Sequence, residues 1–137
     1  MLTKLKATGA CISSSSAASE QARFYLNLVL LDKEREVFMV LFLDAQHCLI
    51  EAAELFQGTI DGANVHAREV VKSALMVNAA AVIFAHNHPS GLATPSYADE
   101  LITQRLKNAL QLIDVRVVDH IVVAKNNTFS FAEAGIL

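Results

Sequence analysis

The spacing of apolar residues changes several times along the chain, and these changes predict an α/β fold. From about Ser16 to Leu31, apolar residues recur every three or four positions, as they do on one face of a helix. Further along, nearly continuous apolar runs are typical of strands that are covered on both faces. Because helices and strands alternate after an opening hairpin, the pattern predicts a layered α/β domain with a mixed sheet.

The predicted strands cover residues 36–44, 48–56, 79–85 and 115–124, with a short partner at 128–131. A polar loop at 58–64 precedes a helix whose core positions lie between Ala67 and Asn78, and Leu75 is expected on its core face. Another helix runs from Ser96 to about Ile113, with Leu101 expected inward. The chain is interpreted as one domain over 1–137, in which residues 1–15 are a loose tail or an edge segment.

Composition narrows the classes of protein that the fold can serve. With 53% hydrophobic and 18% charged residues in 137, the chain can fill the core of one domain. Its net charge of -3 provides no basic surface, so we expect no strong binding to nucleic acid. Neither a membrane span nor a signal peptide is evident, which predicts a cytoplasmic protein. The oligomeric state stays open.

The two cysteines, Cys11 and Cys48, are far apart in the sequence and lack C-x-x-C spacing. This spacing indicates neither a zinc knuckle nor a disulfide framework. Cys48 falls in an apolar strand, where a buried free thiol is expected.

Chemically active residue types concentrate between Ala85 and Asp99, in the pattern H-x-H-x7-S-x2-D. Residues i and i+2 of an extended chain point the same way, so His86 and His88 face one point after the apolar strand. Thr94 and Pro95 suit the cap and first position of a helix, which then returns the side chains of Ser96 and Asp99 towards the histidines. His86, His88 and Asp99 are the three protein ligands that a catalytic zinc site needs.

Taken singly, each of these residues has an ordinary structural explanation. A histidine at a strand end is often a hydrogen-bonding residue, and Ser96 and Asp99 near a helix N-terminus can satisfy unpaired backbone N–H groups. Taken together, they favour a metal site. The sequence lacks the H-x-E and P-C-x-x-C of zinc deaminases, the H-E-x-x-H of thermolysin-type peptidases and the G-x-S-x-G of serine hydrolases.

The motif resembles the JAMM motif of the MPN-plus metallopeptidases, and the wider sequence resembles their RadC branch. The resemblance extends over about Ser16 to Leu137. Its matching segments are R-E-V-F-M-V-L-F-L-D at 35–44, L-F-Q-G-T at 55–59, R-E-V-V-K-S-A-L at 68–75, N-A-A-A-V-I-F-A-H-N-H-P-S-G at 78–91 and V-D-H-I-V-V at 118–123. It implies a JAB/MPN domain of layered α/β/α architecture, with a deaminase-like central sheet.

The resemblance also implies a function. In the family, zinc is held at the positions that match His86, His88 and Asp99, and a glutamate on an earlier strand, matched here by Glu36, polarises the bound water. The implied reaction is hydrolysis of a peptide or isopeptide bond, with Glu36 as proton carrier and Ser96 as donor to the oxyanion. Glu34 is a rival that strand parity alone does not exclude.

Other interpretations stay open. The domain can instead be a non-catalytic interaction module, or an accessory of DNA metabolism, since RadC-like proteins carry a DNA-repair label. Full-length relatives usually begin with a helix-hairpin-helix region, which we do not expect in this chain. Asp119 and His120 are either partners of the metal ligands or structural residues. His47 is expected on the surface, and His66 either lies on the surface at the start of a helix, which is favoured, or reaches towards the site.

Overall fold

A computed structural model describes residues 3–6, 16–58 and 65–137 of the chain. The elements are β1 (Thr3–Lys6), α1 (Ser16–Leu30), β2 (Val37–Leu43), β3 (Leu49–Gln57), α2 (Ala67–Met76), β4 (Ala81–His88), α3 (Tyr97–Gln111), β5 (Arg116–Ala124) and β6 (Thr128–Ser130). Of the N-terminal segment expected to be a tail or an edge, the structure describes Thr3–Lys6, as an edge strand. Most of the polar loop expected at 58–64 lies outside the described residues.

The strands form one sheet in the order β1-β3-β2-β4-β5-β6. Strands β4 and β5 pair in parallel, and every other neighbouring pair is antiparallel. Helix α1 packs on one face through Ala22, Leu26 and Leu30. Helices α2 and α3 pack on the other face, where Val70 and Leu106 contact the sheet core. The predicted layered α/β/α architecture with a mixed sheet is therefore confirmed.

The two central antiparallel strands explain why the sequence shows continuous apolar runs. All seven residues of β2 are buried, and so are the first seven residues of β4. Alternate side chains enter the two helix-covered layers, so neither face of these strands needs polar residues. This arrangement leaves the polar residues of β4 at its C-terminal end, between the layers and the surface.

Several detailed predictions were wrong. Leu75 and Leu101 are 60% and 51% exposed, because successive helical residues are about 100° apart and their buried neighbours Ala74 and Ile102 already fill the contact stripe. Helix α3 is capped by Ser96 rather than by Thr94. Cys48 is half-buried and disulfide-bonded, so it is not the free thiol expected.

Among the described residues, no helix combines the length and the apolar character that crossing a bilayer requires.

Candidate metal centre

Strand β4 positions the two histidines of the motif. The strand continues through His88, and its register with β2 pairs His86 with Phe38. On the other side, β5 pairs His86 with Val122 and His88 with Ala124. Because the ladder extends beyond the predicted end at Ala85, ordinary strand alternation directs both imidazoles to the face that α3 covers.

Helix α3 brings Asp99 to the same place. The helix begins at Tyr97 with Ser96 as N-cap, and Asp99 is the third helical residue. The backbone N–H of Ser96 donates to Asp99 Oδ2 at 2.8 Å, and the N–H of Asp99 donates to Ser96 Oγ at 3.1 Å. This reciprocal capping box fixes the Asp99 carboxylate at the helix N-terminus.

Three potential ligand atoms meet between these two elements. The Nε2 atoms of His86 and His88 are 2.9 Å apart, and Asp99 Oδ2 lies 3.4 Å and 3.3 Å from them. His86 and Asp99 are buried, while His88 is partly exposed at the rim. The structure therefore groups the three predicted ligands within reach of a single metal ion.

The charges within this cluster are strongly coupled. Burial alone raises the pKa of Asp99, but contact with His86 and His88 outweighs burial and holds that pKa well below the ordinary value. The same contact with Asp99 is the main cause of the raised pKa of His88, with a smaller contribution from the charge of Glu36. Asp99 is thus an ionised ligand when the site holds no metal.

The Nδ1 atoms of both histidines, which face away from the cluster, also have hydrogen-bonding partners. His88 Nδ1 lies 2.7 Å from the carbonyl oxygen of Leu92, to which only an N–H can bond. This loop turns at Gly91, whose φ of 95° glycine readily adopts. His86 Nδ1 lies 2.8 Å from Nε2 of His120, and Nδ1 of His120 lies 2.5 Å from Thr103 Oγ1.

His120 therefore contacts a candidate ligand, as one of the two open interpretations held. Asp119 does something different: its carboxylate accepts bonds from Ser130 Oγ and from the N–H of Ala132, and so ties β5 to the segment after β6. His66 is exposed at the start of α2. His47 is half-buried in a turn and contacts Arg116, away from the cluster.

Glu36 stands immediately before β2. Continuing the register that pairs Phe38 with His86 by two residues places Glu36 across from His88, on the same face of the sheet. Its charge raises the pKa of His88, which agrees with this position. Glu34 is exposed in the preceding bend, where it lines a cavity beside His88. Glu36 is thus better placed than Glu34 to face the ligand cluster.

Two residues of this region were missed in the sequence. Asn87, between the two histidines, is 3% exposed, and its side chain bonds to the first residue of β2 and to the segment before it. Thr103 is equally buried, one turn after Asp99. Both are polar residues within otherwise apolar stretches of the core. That exception to the apolar pattern is the feature of the sequence that could have pointed to them.

Two cavities in the described part of the chain differ in their relation to the cluster. A cavity of about 310 Å³ opens beside His88 and carries Lys33, Lys125 and the apolar side chain of Val123. A larger one of about 590 Å³ lies near the start of β5, lined by His47, Lys107 and Arg116. Of the cluster residues only His88 lines either cavity; it lines the smaller one together with Asn87, whose side chain points to the opposite face of the sheet.

The fold and the cluster together define an α/β/α domain with a histidine and carboxylate group, able to hold a metal ion, at the carboxyl end of its parallel strand pair. The chain belongs to the RadC-like JAB domain family, whose model matches residues 15–136. The membership expected from the motif is therefore confirmed.

Similar proteins share most of this chain. The UPF0758 protein of Vibrio cholerae is 61% identical over 121 residues, which cover 88% of this chain and 76% of that protein. The UPF0758 proteins of Methylibium petroleiphilum and Cellvibrio japonicus are 62% and 64% identical over 82% and 84% of the chain. The chain spans about half the length of these last two relatives, 51% in each case.

Proposed function

We propose that this domain is a zinc-dependent hydrolase that cleaves a peptide or isopeptide bond. The observation that carries the proposal is the convergence of His86 Nε2, His88 Nε2 and Asp99 Oδ2. Three acceptor-type atoms this close together repel one another unless a cation or shared protons lie among them. Membership in the RadC-like JAB domain family supports a metal ion as that cation.

The spacing of these atoms fits zinc. A tetrahedral zinc ion with ligand distances of about 2.0–2.2 Å holds its ligand atoms roughly 3.3–3.6 Å apart. The separations of Asp99 Oδ2 from the two histidine nitrogens, 3.4 and 3.3 Å, agree with this value, and the distance of 2.9 Å between the nitrogens is slightly shorter. Two imidazoles and one carboxylate also leave the fourth position open, as in catalytic zinc sites.

Each protein group then has a defined task. When bound, the metal ion supplies Lewis acidity and lowers the pKa of a coordinated water towards about 7. Glu36, opposite His88, accepts a proton from the attacking water and delivers it to the leaving amine. Ser96 uses its hydroxyl only as an acceptor in the capping box, so its own hydrogen is not consumed there and can be donated to the developing oxyanion.

The cavity beside His88 is the proposed entrance for a polypeptide substrate. Lys33 and Lys125 are exposed at this cavity, and Leu31 adds apolar surface. A cleft of mixed charge and apolar character suits a peptide segment better than a small apolar molecule. The protein substrate and the cytoplasmic location expected from the sequence are parts of this proposal.

The test is the metal content of the purified protein, measured by elemental analysis after incubation with zinc and removal of the excess. We expect about one zinc per chain in the wild type, and loss of zinc in H88A and D99A. The matched control is H66A, which removes an exposed histidine outside the cluster. Wild-type protein that takes up no zinc would overturn the proposal and favour the non-catalytic interaction module.

A further inference from the structure

The Nδ1 atoms of the two candidate histidine ligands have different kinds of hydrogen-bonding partner. His88 Nδ1 faces the Leu92 carbonyl at 2.7 Å, and a carbonyl can only accept. His88 therefore carries a hydrogen at Nδ1 whatever happens at Nε2. At His86 Nδ1 the partner is another imidazole, Nε2 of His120 at 2.8 Å. An imidazole nitrogen either donates or accepts, so this contact alone does not decide where the hydrogen of His86 lies.

Thr103 decides the direction of this contact. Its hydroxyl lies 2.7 Å from the backbone carbonyl of Asp99 and 2.5 Å from Nδ1 of His120. The carbonyl can only accept, so the single hydroxyl hydrogen is donated to Asp99. The hydroxyl oxygen is then an acceptor for His120, whose ring hydrogen lies on Nδ1.

The surroundings of His120 keep only one hydrogen on its ring. His120 is fully buried, with the Phe131 ring stacked at 4.5 Å and the rings of Phe38 and Phe84 edge-on at 5.7 and 5.8 Å. A charged imidazole surrounded by these aromatic rings loses its hydration, and the rings do not replace the lost interactions with water. The neutral form is therefore favoured. A neutral ring with its hydrogen on Nδ1 offers a lone pair at Nε2, directed at His86.

We infer that Thr103 and His120 are positioning residues that fix the tautomer of His86, with its hydrogen on Nδ1 and its Nε2 lone pair facing His88 and Asp99. The inference rests on the proposed function only in taking this cluster as a metal site. Thr103 also donates to the backbone carbonyl of Asp99, so one hydroxyl bonds both to helix α3 at the third ligand and to the imidazole that contacts His86.

Replacing Thr103 by valine keeps the shape of the side chain but removes the acceptor. In T103V the Nδ1 hydrogen of His120 has no hydroxyl to bond. The tautomer with its hydrogen on Nε2 is then favoured, because it can form a hydrogen bond there. That nitrogen then donates to His86 Nδ1, and His86 must carry its own hydrogen on Nε2, inside the ligand cluster. Serine at the same position keeps the hydroxyl, so T103S is the matched control.

The experiment reads the tautomers directly. Nitrogen NMR of the metal-free protein, labelled with ¹⁵N-histidine, distinguishes the protonated from the unprotonated ring nitrogen of each histidine. We expect His86 to be protonated at Nδ1 in the wild type and in T103S, and at Nε2 in a substantial fraction of T103V. Zinc affinity, measured by competition with a chelator, should fall about 10- to 100-fold in T103V and be retained in T103S.

The two proposals fail in different ways. Wild-type His86 protonated at Nε2 would overturn the inference, even if the protein binds zinc. An unchanged His86 tautomer in folded T103V would overturn it as well. If T103V does not fold, the wild-type spectrum by itself still tests the tautomer of His86. Wild-type protein that binds no zinc would refute the proposed function, while the NMR measurement would still test the hydrogen-bond chain.

Discussion

The side-chain oxygen of Asn87 accepts a hydrogen bond from the backbone N–H of Val37 at 2.7 Å. The amide nitrogen of the same side chain donates to the carbonyls of Lys33 and Arg35, at 3.2 and 2.9 Å. One buried amide on β4 thus holds the segment that leads into β2, including Glu36. The residue between the two candidate ligands consequently fixes the position of the candidate base.

Replacing Asn87 by alanine should therefore loosen this segment without disturbing the ligands. N87A leaves the buried N–H of Val37 unpaired, at a cost of about 1–3 kcal/mol of unfolding free energy. Zinc content should stay at the wild-type level, since alternation directs Asn87 away from the face that carries His86 and His88. Thermal unfolding and elemental analysis measure the two effects.

N87D is the informative second variant. The carboxylate keeps the acceptor for Val37 but cannot donate to the carbonyls of Lys33 and Arg35. It should also destabilise the fold, because those carbonyls then face a negative charge. Loss of zinc in a folded N87A protein would contradict the role given to Asn87.

Ser96 is both helix cap and candidate oxyanion donor, and two substitutions separate these roles. S96A removes the cap and should lower stability by about 1 kcal/mol, whereas glycine at an N-cap costs only a few tenths. Both variants lose the hydroxyl, so both should lose about 100- to 1000-fold in turnover of a peptide substrate. S96T keeps both functions. If S96G lost its zinc, Ser96 would be a structural residue and the oxyanion role would be wrong.

The sequence predicted the layered architecture because its apolar spacing is a local property. The buried runs of β2 and β4 and the helical spacing of α1 each follow from neighbouring residues alone. The motif predicted the candidate ligands for the same reason: alternation in β4 is sufficient to turn His86 and His88 to one face. Asp99 required only the next helix to return across that face.

What the sequence did not predict depends on contacts between distant segments. Thr103 and His120 are 17 positions apart, and Asn87 and Val37 are 50 apart. The first pair forms only when α3 packs on the sheet over β5, and the second forms only when β2 lies beside β4. Pattern reasoning also misplaced the cap of α3, because Thr94 and Pro95 fit the rule for a helix start as well as Ser96 and Asp99 do. The reciprocal bonds between Ser96 and Asp99 select the later start.

Glu36 and Glu34 differ in the consequence of losing their charge. E36Q should retain zinc but lower turnover by about 100- to 10,000-fold, because the amide cannot accept the proton of the attacking water. E34Q, in the exposed bend, is the matched control and should keep most of the activity. The measurement is turnover of a peptide or isopeptide substrate beside zinc content. Equal losses in both variants, or a loss confined to E34Q, would reassign the base.

The pH dependence of the metal-free protein follows from the pKa shifts of the coupled pair. Contact with Asp99 raises the pKa of His88 above its ordinary value of 6.5, so folding favours the protonated ring. This stabilisation is fully present below about pH 6.5 and is lost as the pH rises through the raised pKa. For Asp99, burial raises the pKa, but contact with the two histidines lowers it by more. The pKa of Asp99 therefore lies below its ordinary value of 3.8. Its contribution is present above that pH and is lost on acidification.

The metal-free protein should therefore gain most from this pair between about pH 4 and 6.5, and thermal unfolding in the presence of a chelator should show a decline above that range. H88A should flatten the alkaline decline, whereas the control H66A should not. Zinc should reverse the trend, because the metal competes with the proton on His88 and its affinity rises with pH. A wild-type decline no steeper than that of H88A would show that the contact with Asp99 does not raise the pKa of His88.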